Sequence, residues 1–296
     1  MAVGLLMIAG GVGAGIFGSL LGLGGGILIV PLLTLGFGLP LREAAGVSLV
    51  SVIVTSSAAA SVYLQRHTAN LRLGMTLELF TAIGALAGGI VAFTLSDQVL
   101  AGLFALLLSY TAVTMIRRRN APASNPAPAA VPVAGAGTAT GDTALPAATP
   151  GPHTLHSRLT GADTLERLSG PGYRVRNLGR GIVGAVFAGV VSAVLGVGGG
   201  IVKVPVMNLV MGVPLRIATA TSNLMIGVTA TASAVVYVNR GGMDPLVAGP
   251  IAVGVFIGAA VGSRIAHRVD LRLLQLLFVA VLLYTTFQMV LRAVGT

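Results

Sequence analysis

The chain repeats itself. Slid along by 174 positions, residues 15–42 lie over residues 189–216 without a gap, and 14 of those 28 positions are identical. Gly22, Gly24, Gly25 and Gly26 fall on Gly196, Gly198, Gly199 and Gly200; Pro31 falls on Pro205; Gly38, Pro40, Leu41 and Arg42 fall on Gly212, Pro214, Leu215 and Arg216. The same register carries Ser48 onto Ser222, Tyr63 onto Tyr237, Arg66 onto Arg240, Gly84 onto Gly258, Gly88 onto Gly262 and Tyr110 onto Tyr284. Internal similarity at a fixed offset means that one structural unit is built twice.

The repeated unit is apolar. Of the 296 residues 55% are hydrophobic and 9% charged, against about 25% charged in a soluble domain. Runs of 18 or more apolar residues recur, each long enough to cross a hydrocarbon layer of about 30 Å. The chain is therefore expected to be an integral membrane protein. Its net charge of +10 would suggest nucleic acid in a soluble protein. Here the arginines stand at the ends of apolar runs, as Arg66, Arg72 and Arg117 to Arg119 do. That placement is the topology signal of cytoplasmic loops, so no nucleic-acid partner is expected. There is no cysteine, which excludes disulfides, thiolate metal sites and cysteine nucleophiles. The first apolar run, residues 1–21, lacks a basic leader and reads as a first helix rather than a cleaved signal.

Each half parses alike: a helix at 3–21, a glycine break at 22–26, a short helix at 27–38, then helices at 42–64, 74–95 and 98–116. The second half repeats this at 178–195, 196–200, 201–212, 216–238, 244–265 and 271–292. A 12-residue segment spans only about 18 Å, too little to cross alone, so each break is read as the tip of a hairpin. Each half then makes an odd number of net crossings, and the halves are inverted. In that topology Arg66, Arg72, Arg117, Arg118, Arg119, Arg174, Arg176, Arg180, Arg216, Arg264, Arg268 and Arg272 share one side, and Arg42, Arg240 and Arg292 the other. Parallel halves would split the same arginines ten to five. The expected fold is all-α: a polytopic membrane protein of two homologous, inverted repeats, each a glycine-broken hairpin plus three transmembrane helices. Residues 1–119 form the first repeat and 177–296 the second. Residues 120–176 between them form an Ala/Pro-rich, largely disordered cytoplasmic linker, because its first thirty or so residues are almost all Ala, Pro, Gly, Thr and Ser and have little to bury. Residues 158–169 offer a short amphipathic surface helix.

The breaks carry the chemistry. Three consecutive glycines relax the helix and expose backbone. At membrane depth such backbone is tolerated only where protein buries it or where it lines an aqueous cavity. Helices restarting at Ile27 and Ile201 offer free N–H groups and a positive dipole end, which favour an anion. Secondary transporters place broken helices from both repeats at the substrate in this way. The spacing is not a dinucleotide fingerprint, whose third glycine would sit at Ile27 and Ile201.

The run Leu-Gly-x-Gly-Gly-Gly, then Val-Pro, then Gly-x-Pro-Leu, then a serine-containing helix occurs in both halves. It resembles the TauE/SafE family of sulfite exporters, also known as toluene sulfonate uptake permeases. The stretch from Gly196 to Gly200 and on through Thr219, Ala220, Thr221, Ser222 and Asn223 is similar to its most typical region. The resemblance covers nearly all of the chain except residues 120–176, whose long Ala/Pro insert departs from the usual short connection. It implies a multi-pass permease of the prokaryotic plasma (inner) membrane for a small sulfur-containing or carboxylate anion.

Lys203, the chain's single lysine, lies three residues past the second break, where the first half has Ile29. A lysine at bilayer depth costs about 2.5–3.5 kcal/mol on insertion scales, so it should face a cavity or a partner. Either it meets a translocated anion, or it snorkels to the interface or pairs structurally. Small hydroxyls follow each hairpin: Ser48, Ser51, Thr55, Ser56 and Ser57 in one half, and Thr219, Thr221, Ser222, Asn223 and Thr229 in the other. Such donors suit sulfonate and carboxylate oxygens, and they also serve helix association. Asn208 is a weaker candidate. Gly84 with Gly88 and Gly258 with Gly262 read as close-packing faces. Glu78 is expected near an interface, paired with Arg72, with a proton relay as its alternative role. The four histidines have no companions that would make a metal site. With no nucleophile–base pair, catalysis has no warrant.

The function expected is a secondary transporter for a small anion: sulfite, a sulfonate or a related organic acid. Its site is expected at Gly24, Gly25, Gly26, Ser48, Gly198, Gly199, Gly200, Lys203, Ser222 and Asn223. No cofactor is expected; a proton or sodium is the candidate coupling ion, and the bilayer the other partner. A passive anion channel, or a membrane-embedded assembly or enzyme component, remain alternatives.

Overall fold

The structure is a computed structural model that describes residues 2–21, 25–65, 69–119, 168–169, 173–265 and 271–294. The first repeat comprises α1 (Ala2–Leu21), α2 (Gly26–Pro31, continued by a π-helical turn over Leu32–Gly36), α3 (Leu41–Gln65), α4 (Leu71–Ala92) and α5 (Asp97–Arg119). The second comprises α6 (Leu178–Leu195), α7 (Gly200–Pro205, continued over Val206–Val210), α8 (Leu215–Asn239), α9 (Pro245–Ile265) and α10 (Leu271–Val294). There is no strand among the described residues. Seven of these helices are long and apolar enough to span a membrane: α1, α4, α5, α6, α8, α9 and α10. The chain is a multi-pass membrane protein. Its outward faces agree: Met75, Leu79, Ile83 on α4 and Val253, Phe256, Ile257 on α9 are exposed large apolar side chains, which suits lipid and not water.

Both short helices lose α geometry after a proline, at Pro31 and Pro205. Proline removes an N–H from the ladder and crowds the preceding turn, and the widened π turn follows. In the first repeat the Thr34 hydroxyl donates to the Val30 carbonyl at 2.9 Å. The short helices therefore end at Gly36 and Val210, a little before the expected 38 and 212.

Packing respects the repeat throughout. The helix α1 runs beside α9, with Gly258 and Gly262 against the backbone of Val12 and Ile16. The helix α6 runs beside α4, with Gly84 and Gly88 against the backbone of Val186 and Val190. Each contact is the other shifted by 174 residues, and the expected close-packing glycines are the residues that make it. Equivalent helices meet head to tail. The start of α3, at Gly46, touches Tyr237 and Gly242 at the end of α8, and Thr221 near the start of α8 accepts from the Asn70 N–H just beyond α3. The helices α5 and α10 meet likewise, with Gly102 beside Ala293. So α3 and α8 run antiparallel.

The hairpins are closed. Gly10 faces Leu32 and Gly25 faces Ala14 between α1 and α2; Gly184 faces Val206 and Gly199 faces Ala188 and Ser192 between α6 and α7. The reversal needs Gly25 and Gly199, which sit in the left-handed region at φ 73° and 69°, where a side chain would be strained.

Packed structure also reaches back into the segment expected as linker. Leu168 and Val175 are buried among Leu73, Leu77, Met207 and Met211. The Arg176 N–H donates to the Met211 carbonyl. Gly24, Arg66, His67 and most of residues 120–172, including nearly all of the expected surface helix, lie outside the described residues.

Candidate functional site

The two hairpin tips converge on α3. Gly196 packs so closely on Ala45 that a Cβ there would lie 2.6 Å from the Ala45 carbonyl oxygen. The Ser48 hydroxyl sits between the breaks, 2.8 Å from the Gly196 carbonyl and 3.2 Å from that of Gly26. One side chain of the first repeat thus ties both breaks together.

The equivalent serine behaves differently. Ser222 is fully buried, and its hydroxyl has no hydrogen-bond partner among the described residues. The same holds for Ser192, a residue the sequence reading did not single out. Both flank the second break: a Cβ on Gly200 would lie 3.6 Å from Ser222 Oγ, and one on Gly199 3.5 Å from Ser192 Oγ. The helix restarting at Gly200 has its Val202 and Lys203 N–H groups on the Gly199 carbonyl, at 3.2 and 3.0 Å. Those of Gly200 and Ile201 have no preceding turn to donate to. Two unpartnered hydroxyls and the first backbone N–H groups of the helix thus gather at this point, and an anion can accept from them.

Lys203 does not face an open cavity. It is 2% exposed and pairs with Glu78 of α4, Nζ to Oε2 at 3.0 Å. It also donates to Thr229 Oγ1 of α8 at 2.5 Å, and that hydroxyl donates to Glu78 Oε1 at 2.6 Å. The three side chains close a buried ring whose carboxylate comes from the first repeat and whose other members come from the second. This corrects the expectation for Glu78. It is 7% exposed and is not an interfacial partner of Arg72. The reason is local: Asn70 caps α4, its side chain accepting from the Leu73 N–H at 3.0 Å. The helix thus starts at Leu71, three residues before the expected 74, and Glu78 lies two turns inside. An N-cap asparagine ahead of an apolar run was the available signal.

The remaining hydroxyls are spent locally. Ser51, Ser56, Ser57 and Thr219 donate to carbonyls three or four residues back in their own helices, the usual arrangement mid-helix. The Asn208 amide donates to the Val213 carbonyl at the end of its own hairpin. Asn223 is half-buried on α8, one residue past Ser222. No group of three or more potential metal-ligating side chains forms among the described residues. A cavity of about 250 Å³ opens on other elements, lined by Gly38, Leu41, Asp97, Gln98 and Arg292; its arginine donates to the Thr34 carbonyl.

Comparison with known proteins agrees with this architecture. The family model described as sulfite exporter TauE/SafE matches residues 7–289. The chain is similar to the probable membrane transporter protein YunE of Bacillus subtilis, 22% identical over 294 residues covering 97% of each protein. It is also similar to the probable membrane transporter protein MamO of Paramagnetospirillum magneticum, 24% identical over 290 residues, which are 94% of this chain and 42% of that one. MamO of Magnetospirillum gryphiswaldense is 25% identical over 292 residues, 95% of this chain and 43% of the relative. No solved structure matches the chain significantly.

Proposed function

The chain belongs to the TauE/SafE sulfite exporter family, and from that membership we propose that it is a secondary transporter of a small anion in the prokaryotic inner membrane. The names of its relatives support a membrane transporter. The donors gathered at the second break support the anion: Ser192 and Ser222 are buried hydroxyls without partners among the described residues, beside the first backbone N–H groups of a helix and one helical turn from Lys203. Sulfite and sulfonates carry several acceptor oxygens in a small volume and fit those donors. The site consists of Gly198, Gly199, Gly200, Ser222 and Lys203, with Ser192 added, and Ser48 and the first break bracing it. Among the described residues the buried carboxylate is Glu78, and it is already held by Lys203 and Thr229.

The repeats are inverted in this reading. The antiparallel course of α3 against α8 supports it, because two equivalent long helices of opposite direction suit a two-fold axis in the membrane plane. Movement of the breaks against the rest of the bundle then exposes one site to each side in turn.

Flux in proteoliposomes tests the proposal and separates it from a passive channel. Vesicles preloaded with unlabelled thiosulfate should take up labelled thiosulfate faster than empty ones, because a carrier returns loaded. Equal rates would indicate a channel; uptake of organic cations in place of anions would overturn the anion reading.

A further inference from the structure

The ring of Lys203, Thr229 and Glu78 is neutral as it stands: one ammonium, one carboxylate and a hydroxyl that donates to the carboxylate and accepts from the ammonium. Neither charge can be left alone in a dry interior, because an isolated buried ion is far more costly than a neutral group. An anion that engages Lys203 therefore takes the counter-ion from Glu78. A buried carboxylate that has lost its cation binds a proton. The ring is built to accept that change. A protonated Glu78 can donate to Thr229 Oγ1, and Thr229 can turn its own hydrogen to the Met225 carbonyl, which it already reaches at 3.2 Å.

We propose that Glu78 is the proton site of a proton-coupled anion carrier. One proton is taken up from water onto the Glu78 carboxylate as a substrate anion replaces that carboxylate at Lys203, and it is released when the anion leaves and the pair re-forms. The inference rests on the anion reading above. Charge balance fixes the coupling: Lys203 is neutralised either by ionised Glu78 or by the anion with Glu78 protonated. Sodium fits less well than a proton, since both Glu78 oxygens already face an ammonium or a hydroxyl. Among the described residues, the elements packed on α4 bring no other charge to Glu78 by a hydrogen bond or ion pair. Arg72 on α4, Arg180 on α6 and Arg216 on α8 are exposed near their helix starts, and Arg174 and Arg176, on the segment that packs against Leu73 and Leu77, are exposed as well. Tyr237 on α8 is two turns beyond Thr229 and donates to the Ala193 carbonyl.

Isothermal titration in two buffers of different ionisation enthalpy reads protons taken up on binding. Thiosulfate, methanesulfonate and sulfoacetate are the probes, since all stay fully ionised near neutral pH and any proton gained is the protein's. The full chain should take up about one proton per bound anion, and affinity should fall about tenfold for each unit of rising pH. Uptake alone does not place the proton, because a buried lysine stripped of its counter-ion also gains a proton as an anion arrives. Infrared difference spectra place it: thiosulfate added to the full chain should raise the C=O band of a protonated carboxyl, absent in Glu78→Gln and displaced in Glu78→Asp. Should Glu78→Gln fail to fold, Glu78→Asp carries the test through its displaced band and pH profile. Binding without uptake in the wild type, or a carboxyl band missing there or unchanged in the Glu78 variants, overturns the proton site and leaves the anion reading standing. Failure of all three anions to bind overturns both.

Discussion

The two glycine breaks are copies in sequence, yet among the described residues only the second has charge beside it. Beside the second stand Lys203, Thr229 and Glu78. The positions related to these by the 174-residue offset are Ile29, Thr55 and Ala252. Ile29 is fully buried among apolar neighbours, and Thr55 donates to carbonyls of its own helix. The hydroxyls differ in the same direction. Ser48 is bonded to both breaks, whereas its equivalent Ser222 has no partner among the described residues; and Ser192 stands where the first repeat has Gly18. A repeated scaffold thus carries unequal polar groups. The shared part reverses the chain and packs helices; the unshared part is where the proposed site lies.

The largest effect should come from splitting the ion pair. Lys203→Met leaves Glu78 buried without a cation, and Glu78→Gln leaves Lys203 without an anion. Each should cost about 3–5 kcal/mol, read as a large drop in melting temperature in detergent. The double variant Lys203→Met with Glu78→Gln should return close to the wild type, because no lone charge remains. At the equivalent place, Ile29→Lys should be as harmful, and Ile29→Lys with Ala252→Glu should recover part of the loss. Absence of recovery would show that the first break cannot hold a charge pair, and would sharpen the contrast to one of geometry.

Next come the shared contacts. A Cβ on Gly84 or on Gly258 meets the backbone carbonyl of Val186 or Val12, so Gly84→Val and Gly258→Val should each cost about 1–3 kcal/mol and to a similar degree. A large inequality between the two melting temperatures would break the claim that the scaffold is symmetric. The direction of that symmetry is open to labelling, since the chain has no cysteine of its own. Cysteines placed at the exposed, equivalent Pro40 and Pro214 should react with an impermeant thiol reagent from opposite sides of the membrane; reaction from one side means parallel repeats.

The smallest effect is at the serines. Ser48→Ala removes a buried hydrogen bond and should cost about 1 kcal/mol, while Ser222→Ala removes a hydroxyl without a partner among the described residues and should leave stability almost unchanged. Equal losses would mean that Ser222 is as structural as Ser48.

Much of this was legible in the amino-acid order. The offset of 174 residues and the glycine runs give the repeat and the hairpins, and the apolar runs give the membrane. The position of Glu78 was not legible, because its depth depends on where α4 begins. The start at Leu71 is decided by the Asn70 cap, which also donates from its amide to the Leu168 carbonyl and to Tyr173. Those contacts come from a segment a hundred residues away. Nor could composition show which hydroxyls are spent on their own helices: Ser51 and Ser222 look alike in sequence and differ only in what lies within reach.

The central claim is that an anion is held at the second break by Lys203, and equilibrium binding to the charge-free double variant tests it most directly. Lys203→Met with Glu78→Gln keeps the fold without a lone charge, so a change in binding is not a change in stability. Titrated with sulfite and with thiosulfate, the wild type should bind, and the double variant should be weaker by about 1.5–3 kcal/mol, the worth of a hydrogen bond to a charged group. Equal affinity in the two proteins would contradict the role given to Lys203.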